Sequence, residues 1–248
     1  MDKLIYTAAS GLKGHLAAQA AIANNIANAS TIGFRADRVS FDQLVVNGPG
    51  LASRQPASEQ VADSDRRAGA IFQTGRALDI AVTGNSFITV QAKDGTEGYT
   101  RRGDLQVAST GVLETGDGFP VIGSGGPITV PPAQKVTIGP DGTISFLPLN
   151  AQPGAPSQVL DKLKLANPQG SDAVKGLDNL YHVRDGGALP ADLAAKLEVG
   201  ALEGSNVNLS EALVDLISNQ RSYEVQANLI KSAKELDENA ATLLRLPA

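Results

Sequence analysis

The sequence predicts an α+β protein in which N- and C-terminal helices pair as a coiled-coil-like α domain, with a mainly β domain inserted between them. Apolar residues recur every three to four positions at both ends, whereas short apolar runs alternate with glycine-containing turns in the middle. A segment rich in proline, serine and glycine joins the two patterns. The predicted segments are 1–35 (first helix), 36–75 (extended connector), 76–199 (β domain) and 200–248 (second helix).

The first helix is predicted from Leu4 to about Ala29, loosened at Gly11 and Gly14. Its apolar stripe consists of Leu4, Ile5, Ala8, Leu12, Leu16, Ala20, Ala23 and Ile26.

A polar run follows the first helix, from Asn24 to Arg35. Asn24 and Asn28 are four residues apart and share a helix face, so their amides can bond backbone or a partner helix. Gly33 can turn the chain outward and Phe34 can anchor it. An elaborate helix C-terminus would use the same residues equally well.

The middle of the chain is interpreted as β structure from Arg76 to about Val199. Its turns include Asp94-Gly95, Asp117-Gly118 and Asp141-Gly142, where glycine can adopt positive φ. The stretch 47–67 indicates an extended or mobile connection into this domain, and 148–156 indicates a long loop within it.

The second helix is predicted from Leu209 to Leu246, roughly 55 Å at 1.5 Å per residue. Asn208 can cap it, Glu211 can complete a capping box, and Pro247 prevents continuation. Its apolar stripe consists of Leu209, Leu213, Leu216, Ile217, Tyr223, Ala227, Ile230, Ala233, Leu236, Ala240 and Leu243.

The two predicted helices need a partner. Either helix alone would leave a long apolar stripe in water, so we expect them to lie together. Each helix still has only one face to bury against the other. Further copies of the same helix pair are the simplest way to cover the remaining apolar surface.

Composition excludes several functions. A net charge of -5 without a Lys/Arg cluster argues against nucleic-acid binding, and the lack of cysteine excludes thiolate chemistry. His15 and His182 lack neighbours at metal-ligand spacing, so neither a metal nor another cofactor is expected. Neither a membrane span nor a cleavable signal peptide is visible, and we expect the mature protein to begin at or next to Met1.

Two other functions stay open from the residues alone. A carboxylate pair for glycan cleavage depends on a distance in space, so a glycan-cleaving enzyme is an alternative. A secreted module that binds a ligand in an apolar pocket of the β domain is another.

Residues Ala23–Arg35 resemble the signature A-N-N-x-A-N-x-x-T-x-G-F-[KR] of the flagellar axial-protein family. Gly204–Asn208 and Gln220–Glu224 are similar to the C-terminal segments of that family, which usually has Asp where Asn208 stands. Either residue caps a helix.

The resemblance extends into the middle of the chain. Gln73–Asp79 and Tyr99–Gly103 look like stretches shared by rod and hook members. The opening residues, Met1–Ala8, are similar to those of proximal-rod members, and a distal-rod protein is the alternative.

This resemblance implies a structural, non-enzymatic subunit of the bacterial flagellar basal-body rod, a hollow torque-transmitting shaft in the periplasm. It implies export through the flagellar type III apparatus, with copies of itself and other axial proteins as partners. Because rods cross the cell wall, the same resemblance makes a peptidoglycan-acting enzyme the alternative from a different functional class. The predicted assembly interface is Leu12, Leu16, Ala23, Asn24, Ile26, Asn28, Gly33, Phe34, Leu213, Leu216, Gln220, Tyr223, Ala227, Ile230 and Leu243.

Overall fold

The structure, a computed structural model, describes residues 2–43, 57–152, 154–184 and 186–243. Two helices, α1 (Asp2–Ala27) and α2 (Leu209–Leu243), flank a mainly β region. Among the described residues, neither helix is long and apolar enough to cross a membrane.

The described strands, in chain order, are β1 (Asp37–Gln43), β2 (Ala57–Ser64), β3 (Ile71–Gln73), β4 (Ile80–Thr83), β5 (Phe87–Gln91), β6 (Glu97–Thr100), β7 (Leu105–Val107), β8 (Leu113–Thr115), β9 (Ala133–Ile138), β10 (Thr143–Pro148), β11 (Gln158–Lys162), β12 (Leu165–Ala166), β13 (Ala173–Lys175), β14 (Tyr181–Val183), β15 (Lys196–Val199) and β16 (Ala201–Glu203).

The chain divides into two compact units. The first, here called the helix unit, comprises Met1–Ala27, Asp37–Asp63 and Asn208–Ala248. The second, the β unit, comprises Asn28–Ala36 and Ser64–Val207.

In the helix unit, α1 and α2 lie against each other in antiparallel directions. His15 contacts Asn219, whereas Gly11, one turn earlier, lies against the later residue Gln226. The start of α2 is capped as predicted, because the amides of Ser210 and Glu211 donate to Oδ1 of Asn208 at 3.1 and 3.4 Å. The predicted end of this helix, near Leu246, lies outside the described residues.

The segment predicted as a connector contains secondary structure in this unit. β1 pairs with β2 in a two-stranded sheet. The end of α1 fixes β1, because the Asn25 side chain donates to the Asp37 carbonyl at 2.9 Å and accepts from its amide at 2.7 Å. The polar composition that suggested a plain connector is equally compatible with a two-stranded sheet.

The β unit is built from antiparallel strands. Its largest sheet has the order β12-β5-β6-β14-β13, and a three-stranded sheet has the order β11-β10-β9. Three further pairs are β15-β4, β16-β3 and β7-β8. The core of the β unit is formed by fully buried apolar side chains: Ile80, Ile88, Val90, Leu105, Leu113, Val121 and Ile144.

The predicted Asp-Gly turns are confirmed. Gly95, Gly118 and Gly142 have φ of 84°, 82° and 84°, which side chains other than glycine rarely adopt. The β unit also reaches beyond the predicted limits, because β3 pairs with β16 and the segment Asn28–Ala36 belongs to it. These additions come from pairing between residues more than a hundred positions apart, which local patterns do not reveal.

Candidate functional site

The α2 helix has two distinct apolar sides. One side, here called the seam, lies toward α1 and follows alternating spacings of three and four residues, as in a coiled coil. Its members are half-buried, or buried in the case of Ala233: Leu216, Asn219, Tyr223, Gln226, Ile230 and Ala233. On α1, the small residues Gly14 and Ala21 are buried.

The other side of α2 is apolar and exposed. We call it the outer face; it consists of Val214, Ile217, Val225, Leu229 and Leu236, with 55% to 62% of each residue exposed. Spacings of eleven, four and seven residues between Val214, Val225, Leu229 and Leu236 return to the same side of the helix. These exposed apolar side chains alternate along that side with polar ones such as Arg221, and together they are a candidate interaction surface.

The residues predicted for the assembly interface differ in their exposure, and some are half-buried while others are exposed. On α2, Leu216, Tyr223, Ala227 and Ile230 are half-buried, whereas Leu213 and Gln220 are exposed. On α1, Leu16, Ala23 and Asn24 are exposed, whereas Leu12 and Ile26 are half-buried. The side chain of Leu243 lies outside those described.

Sequence reasoning missed most of the outer face. It followed one stripe of period 3.6 and therefore left out Val214, Val225 and Leu229. The spacing of eleven and then four residues between these three was the available signal for a second stripe.

A second cluster lies in the β unit, around Asn206. Its Oδ1 accepts from the Ala36 amide at 2.8 Å, and its Nδ2 donates to the carbonyls of Asp65 and Arg67 at 2.8 and 2.9 Å. One side chain thereby joins three segments that are far apart in the sequence. Sequence analysis placed Asn206 in a family-like motif but gave it no role.

Next to Asn206 lies a buried ion cluster of Arg35, Arg101 and Glu203. Glu203 lies 2.6 Å from Arg35 and 3.1 Å from Arg101, and each of the three side chains is at most 2% exposed. Burial lowers the pKa of Arg101 to about 10, an effect that the nearby Glu203 carboxylate opposes. Arg101 is therefore still a cation at neutral pH, held by Glu203 and by the Val82 carbonyl at 2.6 Å.

Gly33 and Phe34 bring the N-terminal segment to this cluster. Gly33 has φ of 68°, its amide donates to the Glu203 carbonyl at 2.7 Å, and a Cβ there would meet the Arg101 backbone at 2.4 Å. Phe34 is 3% exposed, with Nζ of Lys175 3.7 Å from its ring centre. Turning and anchoring thus take place within the β unit, and the assembly contact expected of both residues stays a prediction.

The Asn residues of the same run also have partners within the chain. Nδ2 of Asn24 donates to Oδ2 of Asp37 at 2.5 Å. Oδ1 of Asn28 accepts from the Thr31 hydroxyl at 3.1 Å. The signature run therefore shapes the end of α1 and the turn that follows it.

The two histidines take part in ordinary polar contacts. His182 lies 2.9 Å from Asp178, and His15 lies 2.7 Å from Asn219. No group of three or more His, Cys, Asp or Glu side chains that could hold a metal ion occurs in the part of the chain that the structure describes.

Three protein families match segments of the chain. The family "Flagella basal body rod protein" matches residues 5–35, "Flagellar hook protein FlgE/F/G D1 domain" matches 81–146, and "Flagellar basal body rod FlgEFG protein C-terminal" matches 198–243. The first of these includes most of α1, and the last includes α2.

Whole-chain relatives agree with the segment matches. The chain is 40% identical to the flagellar basal-body rod protein FlgF of Salmonella typhimurium, covering 99% of this chain and 100% of the relative. It is 39% identical to FlgF of Escherichia coli, covering 97% and 96%. It is 31% identical to the flagellar basal-body rod protein FlgG of Bacillus subtilis, covering 99% and 100%.

Proposed function

The chain belongs to the flagellar basal-body rod proteins, and from this premise we propose that it polymerises through its terminal helices in the proximal part of the rod. It is a structural subunit of the flagellar basal body and not an enzyme. The mechanism is mechanical: subunits that pack side by side along an axis transmit torque without any chemical step.

The main observation in support of polymerisation through the helices is the exposed outer face of α2. Val225 and Leu229, like the other members, leave more than half of their surface in water. Burying such side chains stabilises an assembly by about 25 cal/mol per Å² of apolar surface removed from water. In a helical polymer, every subunit gains this contribution.

The seam supports a coiled-coil-like pairing of α1 with α2. Its three-and-four spacing is that of a and d positions, and the contacts of Asn219 and Gln226 lie on α1. If α1 covers the seam of α2 within one chain, neighbouring subunits can contact the outer face and exposed α1 residues such as Leu16.

Assignment to the proximal rather than the distal rod is supported by similarity. The FlgF relatives of Salmonella typhimurium and Escherichia coli are 40% and 39% identical to the chain, and the FlgG relative of Bacillus subtilis is 31% identical. We propose further that the subunit is exported through the flagellar type III apparatus without a cleaved signal peptide. In this proposal the subunits assemble in the periplasm next to other axial proteins, and together they surround a hollow channel.

Substitution of the outer face tests the proposal. In cells that lack the native subunit, we expect Leu229→Asp and Val225→Asp to leave the isolated chain folded but to abolish incorporation into the rod and swimming. A buried unpaired carboxylate has an effective cost of several kcal/mol, repeated in every subunit. The control is Lys231→Asp, an exposed position two residues from Leu229 and so on a different side of the helix.

The seam supplies a second pair of variants. Leu216→Asp and Ile230→Asp should also abolish incorporation while the β unit stays folded, but they should in addition separate α1 from α2 in the isolated chain. Basal bodies purified from each strain show incorporation, and circular dichroism shows helix content. Normal swimming in all four variants would mean that the terminal helices are not the polymerisation element.

A further inference from the structure

A polar pair lies in the contact between α1 and α2. Nδ2 of Asn219 donates to the main-chain carbonyl of His15 at 2.9 Å, and Oδ1 of Asn219 lies 2.7 Å from Nδ1 of His15. Because the Asn219 amide group donates to the carbonyl, the ring nitrogen is the donor of the second bond. Two hydrogen bonds therefore join residues 204 positions apart in the chain.

The α1 residues on either side of His15 define the alignment of the helices weakly. Gly14, Ala17, Ala18 and Ala21 are small, and all are buried or half-buried. Small side chains present nearly the same surface after one helix slides along the other. The packing of these four residues therefore distinguishes poorly between the observed register and a register shifted by seven residues.

A shift of one heptad breaks the polar pair. If α2 slides so that Gln226 lies opposite His15, Asn219 moves opposite Ile22, whose hydrocarbon side chain cannot bond an amide. Leaving a half-buried amide without its partners is unfavourable. A leucine in place of Asn219 would instead pack well against Ile22. The same shift places Ala233 where Gln226 now lies, above Gly11.

Gln226 is a second residue of α2 whose contact with α1 identifies the observed register. A Cβ at Gly11 would lie 2.3 Å from its Nε2, so the flexible end of the Gln226 side chain lies directly over Gly11 and would have to move for a larger residue there. Its Oε1 is buried and has no hydrogen-bond partner among the described residues. Gln226 therefore reports the observed register by its position, whereas Asn219 and His15 hold it by hydrogen bonds.

We propose that Asn219 and His15 set the register of α1 against α2 and act as positioning residues. A single polar pair in an apolar coiled-coil seam selects one alignment at some cost in stability. The register fixes the axial position of the outer face beside α1. That consequence for assembly rests on the proposed function, whereas the register itself does not.

Disulfide trapping in the isolated full-length chain measures the register directly, because the native sequence contains no cysteine. Gly11→Cys with Gln226→Cys reports the observed register, and Gly11→Cys with Ala233→Cys reports the register shifted by one heptad. Each pair is equilibrated in a glutathione redox buffer at low protein concentration. The ratio of the two effective thiol concentrations is the register preference.

In the otherwise native chain we expect the first pair to form about tenfold more readily than the second, or better. Replacing the polar pair by His15→Leu with Asn219→Leu should reduce this ratio to about twofold, while helix content is kept or rises. The control Tyr223→Leu alters seam packing without touching the polar pair, and it should leave the ratio unchanged.

Three results would overturn the proposal: an unchanged ratio in the double leucine variant, equal trapping of both pairs in the native background, or no trapping of either. Swimming of the leucine variant is scored separately. Loss of register preference with normal swimming would refute the assembly consequence alone. Retained preference with an assembly defect would refute the register proposal and leave the proposed function standing.

Discussion

The β unit and the helix unit bury their apolar residues to very different extents. Strands of the β unit enclose a core whose central side chains, such as Ile88 and Leu113, are fully buried, and the unit also encloses its ion cluster. Among the described side chains of the helix unit, only Ala21 and Ala233 are buried apolar residues, while Leu229 and its neighbours are exposed. The β unit completes its core within one chain, whereas the helix unit leaves apolar side chains exposed, which neighbouring chains cover in the proposed function.

The largest effect on this comparison is expected from Glu203→Ala. Removing the carboxylate leaves Arg35 and Arg101 as buried cations without a counter-ion, which should lower the free energy of unfolding of the β unit by about 3–5 kcal/mol. Urea unfolding followed by tyrosine fluorescence measures the loss. Glu198→Ala, an exposed glutamate that bonds Gln73, is the matched control and should change little. A similar small change in both variants would contradict the importance of the ion cluster.

Limited proteolysis tests the contrast between the units directly. From the sequence we expect residues 1 to about 35 and about 205 to 248 to be mobile in the monomer, because the helix stripes lack cover. The structure pairs α1 with α2 within the chain, so we expect the helix unit to open more readily than the β unit rather than to be unfolded. It also moves the first limit, since Arg35 is buried in the β unit. Trypsin should cut after the exposed Lys13 about a hundredfold faster than after Arg35. Mass spectrometry of a time course gives both rates, and equal rates would show that residues 28–36 are not part of the β unit.

A smaller effect is expected from Asn206→Ala. The substitution removes one acceptor and two donor bonds, each to a main-chain group of another segment, and should destabilise the β unit by about 1–2 kcal/mol. Asn85→Ala, at an exposed asparagine that bonds Gln169, is the comparison variant. The urea midpoints of the two variants, compared at equal m values, give the difference in their free energies of unfolding. Indistinguishable midpoints would mean that the three segments are held by other contacts.

At neutral pH the smallest effect is expected from Tyr99, whose contribution to stability changes only in alkaline solution. Burial raises the pKa of Tyr99 from 10.0 to about 12, so the folded chain holds a proton that the unfolded chain loses near pH 10. The stability that this residue contributes is therefore complete below pH 10 and is lost as pH rises to about 12. Tyr99→Phe should show a shallower fall in unfolding free energy than the native chain over that window. Parallel pH profiles would assign the alkaline loss to other groups.

Local signals account for most of what the sequence predicted. The Asn208 cap and the glycines of the Asp-Gly turns, such as Gly142, are requirements of the backbone within a few residues, so they were visible. The roles of Asn206 and Glu203 were not visible, because their partners lie far away in the chain. The outer face was missed for a different reason. Because α2 has two apolar stripes, a search for a single stripe assigned Ile217 and Leu236 to the first stripe and left out Val214, Val225 and Leu229.

The position of Glu203 also constrains when the β unit can form during synthesis. Its partner Arg35 is made 168 residues earlier, and β16 pairs with β3 across a comparable interval. Contacts of such high sequence separation form late and slowly, because a long loop must close first. While the ribosome is still making the first two hundred residues, the growing chain lacks the carboxylate that neutralises Arg35 and Arg101. The nascent subunit therefore stays incompletely folded until translation is almost finished.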